Sequence, residues 1–258
     1  MRCLFLYNPN SGKGKIAKKL PLIERSLKRR FKEVVCRATQ SGEDLERQAR
    51  TGAEEFDALI FSGGDGTFNH VLQGIGERDI PLGYLPSGTA NDVAKSLGIP
   101  KRLKRALKVI EGGREARVDC MRVNGERYAM YIAAAGAFTC VTYDTPQREK
   151  QLLGKAAYAA EGFKHLDYQP FSLKLTCGGE TKEMRAALVF VLSGRFVAGF
   201  PVNKRASVQD GILEVVVIKQ AKRTNFFSRL KTMCSLAHLF LFGRSVKKKD
   251  IVVLRGER

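Results

Sequence analysis

The sequence predicts an α/β protein with a doubly wound, mainly parallel sheet in its first half and largely antiparallel β structure in its second. In the first half, short apolar runs alternate with segments of helical periodicity, the pattern of a parallel sheet wrapped by helices. After Gly112-Gly113 the helical texture gives way to alternating strands broken by turns. Three glycine-containing loops each follow a strand and precede a helix, which gathers them at one edge of the sheet, where ligands of open α/β folds bind.

Strands are expected at Arg2 to Tyr7, Glu33 to Ala38, Ala58 to Phe61 and Pro81 to Leu85. Helices are expected near Lys15 to Phe31, Gly42 to Glu54, Thr67 to Gly76, Asn91 to Gly98 and Leu103 to Glu111. Beyond Gly113, Ala116 to Val123 and Tyr128 to Ala134 flank Asn124-Gly125, a strong hairpin signal. Leu173 to Cys177, Ala186 to Leu192 and Ile212 to Lys219 continue as strands. The domain boundary is expected near Val123, giving domains 1–123 and 124–258.

Gly63-Gly64-Asp65-Gly66-Thr67 is the most informative loop, because strand, glycine turn and helix start together hold phosphate. Glycines let backbone N–H groups approach an anion, and the helix N-terminus adds positive partial charge. Asp65 would repel phosphate unless a cation lay between them, and Mg²⁺ held with a nucleotide resolves that conflict. Taken alone, the loop is equally a glycine turn whose Asp or Thr caps the next helix. Asn8-Pro9-Asn10-Ser11-Gly12-Lys13-Gly14-Lys15 is a second phosphate-type loop. It is not a Walker A loop, since Tyr7 stands where the first glycine belongs. Gly12 to Ala17 does satisfy G-x-G-x-x-A, and Arg37 could meet a 2′-phosphate, which keeps an NADP enzyme as a rival. Pro86-Ser87-Gly88-Thr89-Ala90-Asn91-Asp92 is the third loop.

In this order and at these separations, N-P-x-S-G, G-G-D-G-T-x-N and P-x-G-T-x-N-D resemble the catalytic domain of the diacylglycerol kinase and sphingosine kinase family, and most of all its soluble bacterial members. G-G-D-G alone is shared with NAD kinases. The resemblance implies transfer of the γ-phosphate of ATP to a lipid hydroxyl, with a C-terminal β-sandwich domain and nucleotide in the cleft between the domains. It implies ATP contacts from Asn8, Pro9, Ser11, Gly12 and Lys13, from Gly63, Gly64, Asp65, Gly66, Thr67 and Asn69, and from Thr39, Gly88 and Thr89. Asp119 matches an acidic residue of the family's metal and water network, although a surface strand position beside Arg117 and Arg122 is the alternative. The pattern A-x-x-x-D-G-x-L at Ala206 to Leu213 implies a structural Mg²⁺ on the Asp210 carboxylate and the carbonyls of Ser207 and Ile212. A plain Asp-Gly turn is the local alternative.

One departure stands against these agreements. Bacterial members carry a late D-G-E whose acidic residue serves as base, whereas this chain reads Arg255-Gly256-Glu257-Arg258. Either the chain stops short of the motif, the reading favoured here, or Glu257 is the base of a degenerate version. The first alternative leaves a catalytically weak ATP- and membrane-binding regulator as the second functional reading, and NAD kinase as the third.

Composition narrows the partners. A chain of 258 residues with 44% hydrophobic residues can bury two medium cores. Six cysteines without a C-x-x-C pair argue against a disulfide framework or zinc site and for a reducing cytosol. No apolar run reaches the length of a membrane span, and the N-terminus is too short in apolar residues for a signal peptide. The 45 Lys and Arg against 26 Asp and Glu give a net charge of +19, which calls for an anionic partner. The basic clusters carry no nucleic-acid recognition motif and no aromatic platform, so a cytoplasmic protein peripheral to an anionic membrane is the expectation. Thr224 to Phe242 reads as an amphipathic helix that could admit a lipid chain or pack as a core face. The three histidines lack metal-ligand spacing. The β-rich half could form a homodimer through an exposed sheet edge.

Overall fold

The computed structural model describes residues 1–10, 14, 16–136, 169–177, 179–220, 230–232, 234–235, 238–239 and 251–257. Two compact units divide between Tyr131 and Ile132. The first holds the strands β1 (Arg2–Tyr7), β2 (Glu33–Ala38), β3 (Ala58–Gly63) and β4 (Leu82–Pro86), all parallel, in the order β2-β1-β3-β4. The chain therefore leaves β1 for one side of the sheet, returns across it and continues on the other side. That change of direction places a switch point between β1 and β3, the crevice where ligands of such sheets bind.

Side-chain alternation explains why the strands form here. Leu4, Leu6, Leu59 and Phe61 point to one face and pack under α2 (Gly42–Glu55) and α3 (Asp65–Ile75). Cys3, Phe5, Ala58 and Ile60 point to the other and pack under α1 (Leu20–Leu27) and α5 (Leu103–Gly112). Every residue of β3 is buried, as a central parallel strand covered on both faces requires. Helix α2 begins where Ser41 accepts a hydrogen bond from the Asp44 amide (3.1 Å). Helix α1 is shorter than the expected Lys15 to Phe31: a single 3-10 turn at Ala17–Lys19 precedes it, and Pro21 sits in its first turn, where a missing N–H costs nothing. The short helix α4 (Asp92–Ser96) follows the third loop.

The stretch after Gly113 departs from expectation. Only Met121–Val123 (β5) of Ala116 to Val123 is strand, because Val118 turns toward the α2/α3 core and residues 114–120 join no ladder. The expected strand Tyr128 to Ala134 is two strands in two sheets. Arg127–Ala129 (β6) pairs antiparallel with β5 through Asn124 and Gly125, both at positive φ, whereas Ile132–Gly136 (β7) belongs to the second unit. Met130 is buried in the first unit's core and anchors the chain where it changes sheets.

The second unit is an antiparallel sheet in the order β11-β10-β9-β7, formed by β7, β9 (Glu180–Leu192), β10 (Ile212–Lys219) and β11 (Ile251–Glu257), with β8 (Phe171–Cys177) on the first part of β9. Each face buries its own cluster. Leu188, Phe190, Leu192, Val216 and Ile218 line one face, and Ala186, Val189 and Val217 the other. Within Thr224 to Phe242 only scattered residues are described; they are helical at 230–232, 234–235 and 238–239, and Leu239 is buried in the first of these clusters. Leu230 and Cys234, on the apolar stripe of this segment, are exposed, and the other stripe residues lie outside the described residues. No helix among the described residues is long and apolar enough to cross a membrane.

Helices α2 and α3 approach closely because Gly74 has no side chain. A Cβ there would press into the Glu46 carbonyl and lie 2.7 Å from the Ala49 Cβ, both on α2. Alanine would gain about 1 kcal/mol of intrinsic helix propensity, yet overpacking against backbone costs about 1–3 kcal/mol or more. Gly74→Ala is expected to lower stability by about 1–2 kcal/mol in urea denaturation; a stabilised variant would show that the helices can part freely.

Candidate active site

The carboxyl ends of β1, β2, β3 and β4 bring their following loops to one edge of the sheet. After β1, the Asn8 side chain accepts a hydrogen bond from the Asn10 amide (2.8 Å), closing a turn that carries Pro9. Ser11, Gly12 and Lys13 lie outside the described residues. Just beyond β2, Thr39 is buried, and its amide donates to the Tyr7 carbonyl (2.9 Å), so it stands directly beside the first loop. Arg37, the residue available for a 2′-phosphate, instead pairs with Glu55 (3.5 Å) and lies over the Phe56 ring.

The loops after β3 and β4 are joined backbone to backbone. The Gly63 carbonyl accepts from the amides of Ser87 (2.8 Å) and Gly88 (3.2 Å). Gly64 and Gly88 then meet with no room for side chains: a Cβ on Gly88 would lie 2.5 Å from the Gly64 Cα and 2.8 Å from Asn91 Oδ1. Thr67, in the first turn of α3, accepts from the Gly64 amide (3.3 Å) and so caps the helix that the glycines lead into. A Cβ on Gly66 would meet nothing within 4 Å, and Asn69 is exposed one turn further on. The start of α3 is thus open to an anion.

Asp65 spans the two loops. Its Oδ1 accepts from the Val93 amide (2.9 Å) in the first turn of α4, whose own preceding residue, Asn91, makes no side-chain capping bond. Burial pushes the Asp65 carboxyl above the ordinary carboxylate range, more strongly than the bonds from the Val93 and Asp92 backbone pull it down. The capping reading and the functional reading of this loop therefore meet in one carboxylate, which caps α4 rather than its own helix.

Sequence reasoning assigned no role to Asn91 or Tyr84, which hold the arrangement. Asn91 is 2% exposed and left-handed (φ 51°); its Oδ1 accepts from the Gly88 amide (2.9 Å) and its Nδ2 donates to the Gly88 carbonyl (2.7 Å). The buried Tyr84 hydroxyl donates toward the Gly63 carbonyl (3.2 Å), and burial holds its pKa far above the phenol range. Its ring completes a trio with Phe61 and Phe68 at centroid distances of 5.1–5.2 Å. The N-D ending of the third motif was the available signal for Asn91. Nothing in the sequence pointed to Tyr84.

The remaining expected residues lie on the third loop, on the segment before β5 and in the second unit. Thr89 follows Gly88 in the third loop and is exposed. Asp119 is buried and outside any strand, while Arg117 reaches Asp79 (2.8 Å) and Arg122 reaches Glu77 (3.0 Å). In the second unit, Asp210 accepts from the Ile212 amide (3.1 Å) and Gly211 has φ +68°, a tight turn into β10; Ser207 accepts from the Gln209 amide (3.3 Å). Glu257 pairs with Ile212 in the β10–β11 ladder, so Arg255-Gly256-Glu257 lies within a strand and its end adjoins the Asp210 turn.

Residues 2–123 match the family model of the diacylglycerol kinase catalytic domain, and residues 132–258 match that of the YegS C-terminal NAD kinase beta sandwich-like domain. A diacylglycerol kinase of Bacillus subtilis is 32% identical over 264 residues, covering 100% of this chain and 84% of that protein. One from Staphylococcus aureus is 34% identical over 225 residues, covering 85% and 71%. The fold matches a crystal structure of a diacylglycerol kinase from Bacillus anthracis with a TM-score of 0.76 at 24% identity, over 99% of this chain and 83% of that one. A kinase of this kind implies ATP as phosphoryl donor and a lipid as acceptor. The chain belongs to the diacylglycerol kinase family of lipid kinases.

Proposed function

We propose that this chain transfers the γ-phosphoryl group of Mg-ATP to the hydroxyl of a diacylglycerol-like lipid at an anionic membrane surface. The observation that carries this reading is the pair of glycine loops locked together at Gly64 and Gly88, with Asp65 between them. Its residues fit a nucleotide. Gly66 is exposed in the first turn of α3, a Cβ there would meet nothing within 4 Å, and the helix dipole favours negative charge at that end. They also fit a divalent cation. A half-buried carboxylate whose charge is disfavoured by desolvation is relieved by a metal, and Mg²⁺ takes one or two carboxylates together with phosphate oxygens.

In this reading the loops after β1, β3 and β4 bind the phosphates, with Asn8, Pro9, Ser11, Gly12 and Lys13 on the first and Gly63 to Asn69 on the second. Thr39, Gly88 and Thr89 complete the nucleotide contacts. When bound, Mg-ATP supplies the electrophilic phosphoryl group and the countercharge that in-line transfer needs. Asp65 orients the cation, and the fixed amides offset charge that develops on the phosphoryl oxygens. Asp119 would belong to the acidic metal and water network, and the Asp210 carboxylate with the carbonyls of Ser207 and Ile212 would hold a structural Mg²⁺ in the second unit. If Arg255-Gly256-Glu257 is a degenerate version of the late motif, Glu257 takes the proton from the lipid hydroxyl. Arg255 in place of the family's Asp favours a second reading, a regulator that binds ATP and transfers slowly.

Transfer of labelled γ-phosphate from Mg-ATP into a lipid panel in mixed micelles, with NAD as a control acceptor, separates the readings. Label in diacylglycerol supports the kinase, label confined to NAD overturns it, and no label favours the regulator. Asp65→Asn is expected to abolish transfer while retaining the bond to Val93; a folded variant with full activity would remove the site. The same variant carries a stability signature. Because the folded carboxyl has a raised pKa, the wild type is penalised at pH values above it and regains stability as pH falls toward the unfolded value. Asp65→Asn should therefore melt at or above the wild-type temperature at neutral pH, and the difference should vanish in acid. Gly88→Ala should part the two loops and weaken ATP binding at least tenfold, about 1.4 kcal/mol, with the far-ultraviolet spectrum unchanged. Glu257→Gln should cost about 10²–10⁴ in rate if the glutamate is the base, and unchanged activity ends that assignment.

A further inference from the structure

The two helical layers of the first unit differ sharply in charge. On one face of the sheet, α2 carries five acidic residues against Arg47 and Arg50, and acidic residues occupy its first turn and that of α3. On the opposite face, α1 and α5 have no acidic residue in their first turns. Lysine and arginine stand there instead, against the preference of the helix dipole: Lys18 and Lys19 lead into α1, and Lys101, Arg102, Lys104 and Arg105 lead into and open α5. All six are exposed, and none has an ion pair among the described residues. A local preference broken twice on neighbouring helices, with no partner among the described residues, points to an external one.

The acidic residues of this layer are engaged elsewhere. Glu24 pairs with Lys28 (2.6 Å), Glu111 accepts from Ser26 and pairs with Arg29 (3.4 Å), and Glu115 pairs with Arg30 (2.9 Å). These pairs place the C-terminal ends of α1 and α5 side by side. That end lies at the amino edge of the sheet, since the Lys32 amide donates to the Met1 carbonyl (2.9 Å) just before β1. The unpaired N-terminal ends therefore lie toward the opposite edge, which carries the phosphate-type loops. Leu22 of α1 and Val109 of α5, exposed by 38% and 46%, are two of the four large hydrophobic residues exposed among the described residues. Cations flanking isolated exposed aliphatic side chains are suited to a lipid–water interface.

We infer that the outer face of α1 and α5 docks the enzyme on an anionic phospholipid surface, with the phosphate-binding edge turned toward that surface. This rests on the proposed lipid kinase activity for its purpose, but the binding itself can be tested alone. Sedimentation with phosphatidylcholine vesicles containing or lacking phosphatidylglycerol would compare the wild type with K101Q/R102Q/K104Q/R105Q, with K18Q/K19Q, and with R47Q/R50Q on the acidic layer. At about a fivefold loss per cation, the first variant should lose at least about 10² in partitioning to the anionic vesicles and the second at least about tenfold, while R47Q/R50Q binds as the wild type does. Losses below tenfold in both basic-layer variants, equal wild-type binding to neutral vesicles, or tighter wild-type binding to single-stranded RNA than to anionic vesicles would each overturn the inference. Both variants should retain wild-type activity on a short-chain diacylglycerol dispersed in water. A wild type that binds anionic vesicles but phosphorylates no such substrate would remove the proposed activity and leave the docking face standing.

Discussion

The backbone contact between Gly64 and Gly88 sets the geometry of the candidate site. Two parallel strands deliver two loops to the same edge, and the loops can share that edge only if neither has a side chain at the crossing. The Gly63 carbonyl then binds both amides of the neighbouring loop, and the Asn91 amide clamps Gly88 from behind. These bonds satisfy the inward-facing groups of two tight turns. A rigid cradle results, because each loop supplies the partners that the other would otherwise seek from water.

Packing beneath the cradle explains how it is held. Phe61 on β3, Phe68 on α3 and Tyr84 on β4 form an aromatic trio directly under the loops. Aromatic pairs contribute about 0.5–1.5 kcal/mol each beyond their buried area. Tyr84 joins packing to polar order, since its ring belongs to the core and its hydroxyl reaches the Gly63 carbonyl. Above them, Asp65 is kept partly desolvated, an arrangement that a folded protein retains at some cost in stability and that suits a group awaiting a cation.

The charge distribution follows the same layered plan. One helical layer is acidic and holds its helices by ordinary first-turn carboxylates, whereas the other is basic at the ends that adjoin the loops. An even scatter of the net charge of +19 would give solubility alone. The cations at the N-terminal ends of α1 and α5 are instead segregated on one layer, and such segregation orients a molecule in an external field.

The sequence by itself determined the parallel sheet, three of its helix starts and the identity of the loops, because apolar alternation, capping residues and glycine placement act over a few neighbouring residues. Strands β1, β2 and β10 fall at the residues expected for them. Tertiary structure alone decided that Asp65 caps α4 across 28 residues of chain, that Tyr84 and Asn91 brace Gly63 and Gly88, and that Tyr128 to Ala134 splits between two sheets. Each of these depends on which strands lie side by side and in what register. A linear pattern records which residues can be buried or can turn, but the partner a polar group finds is fixed only when distant segments are packed against one another.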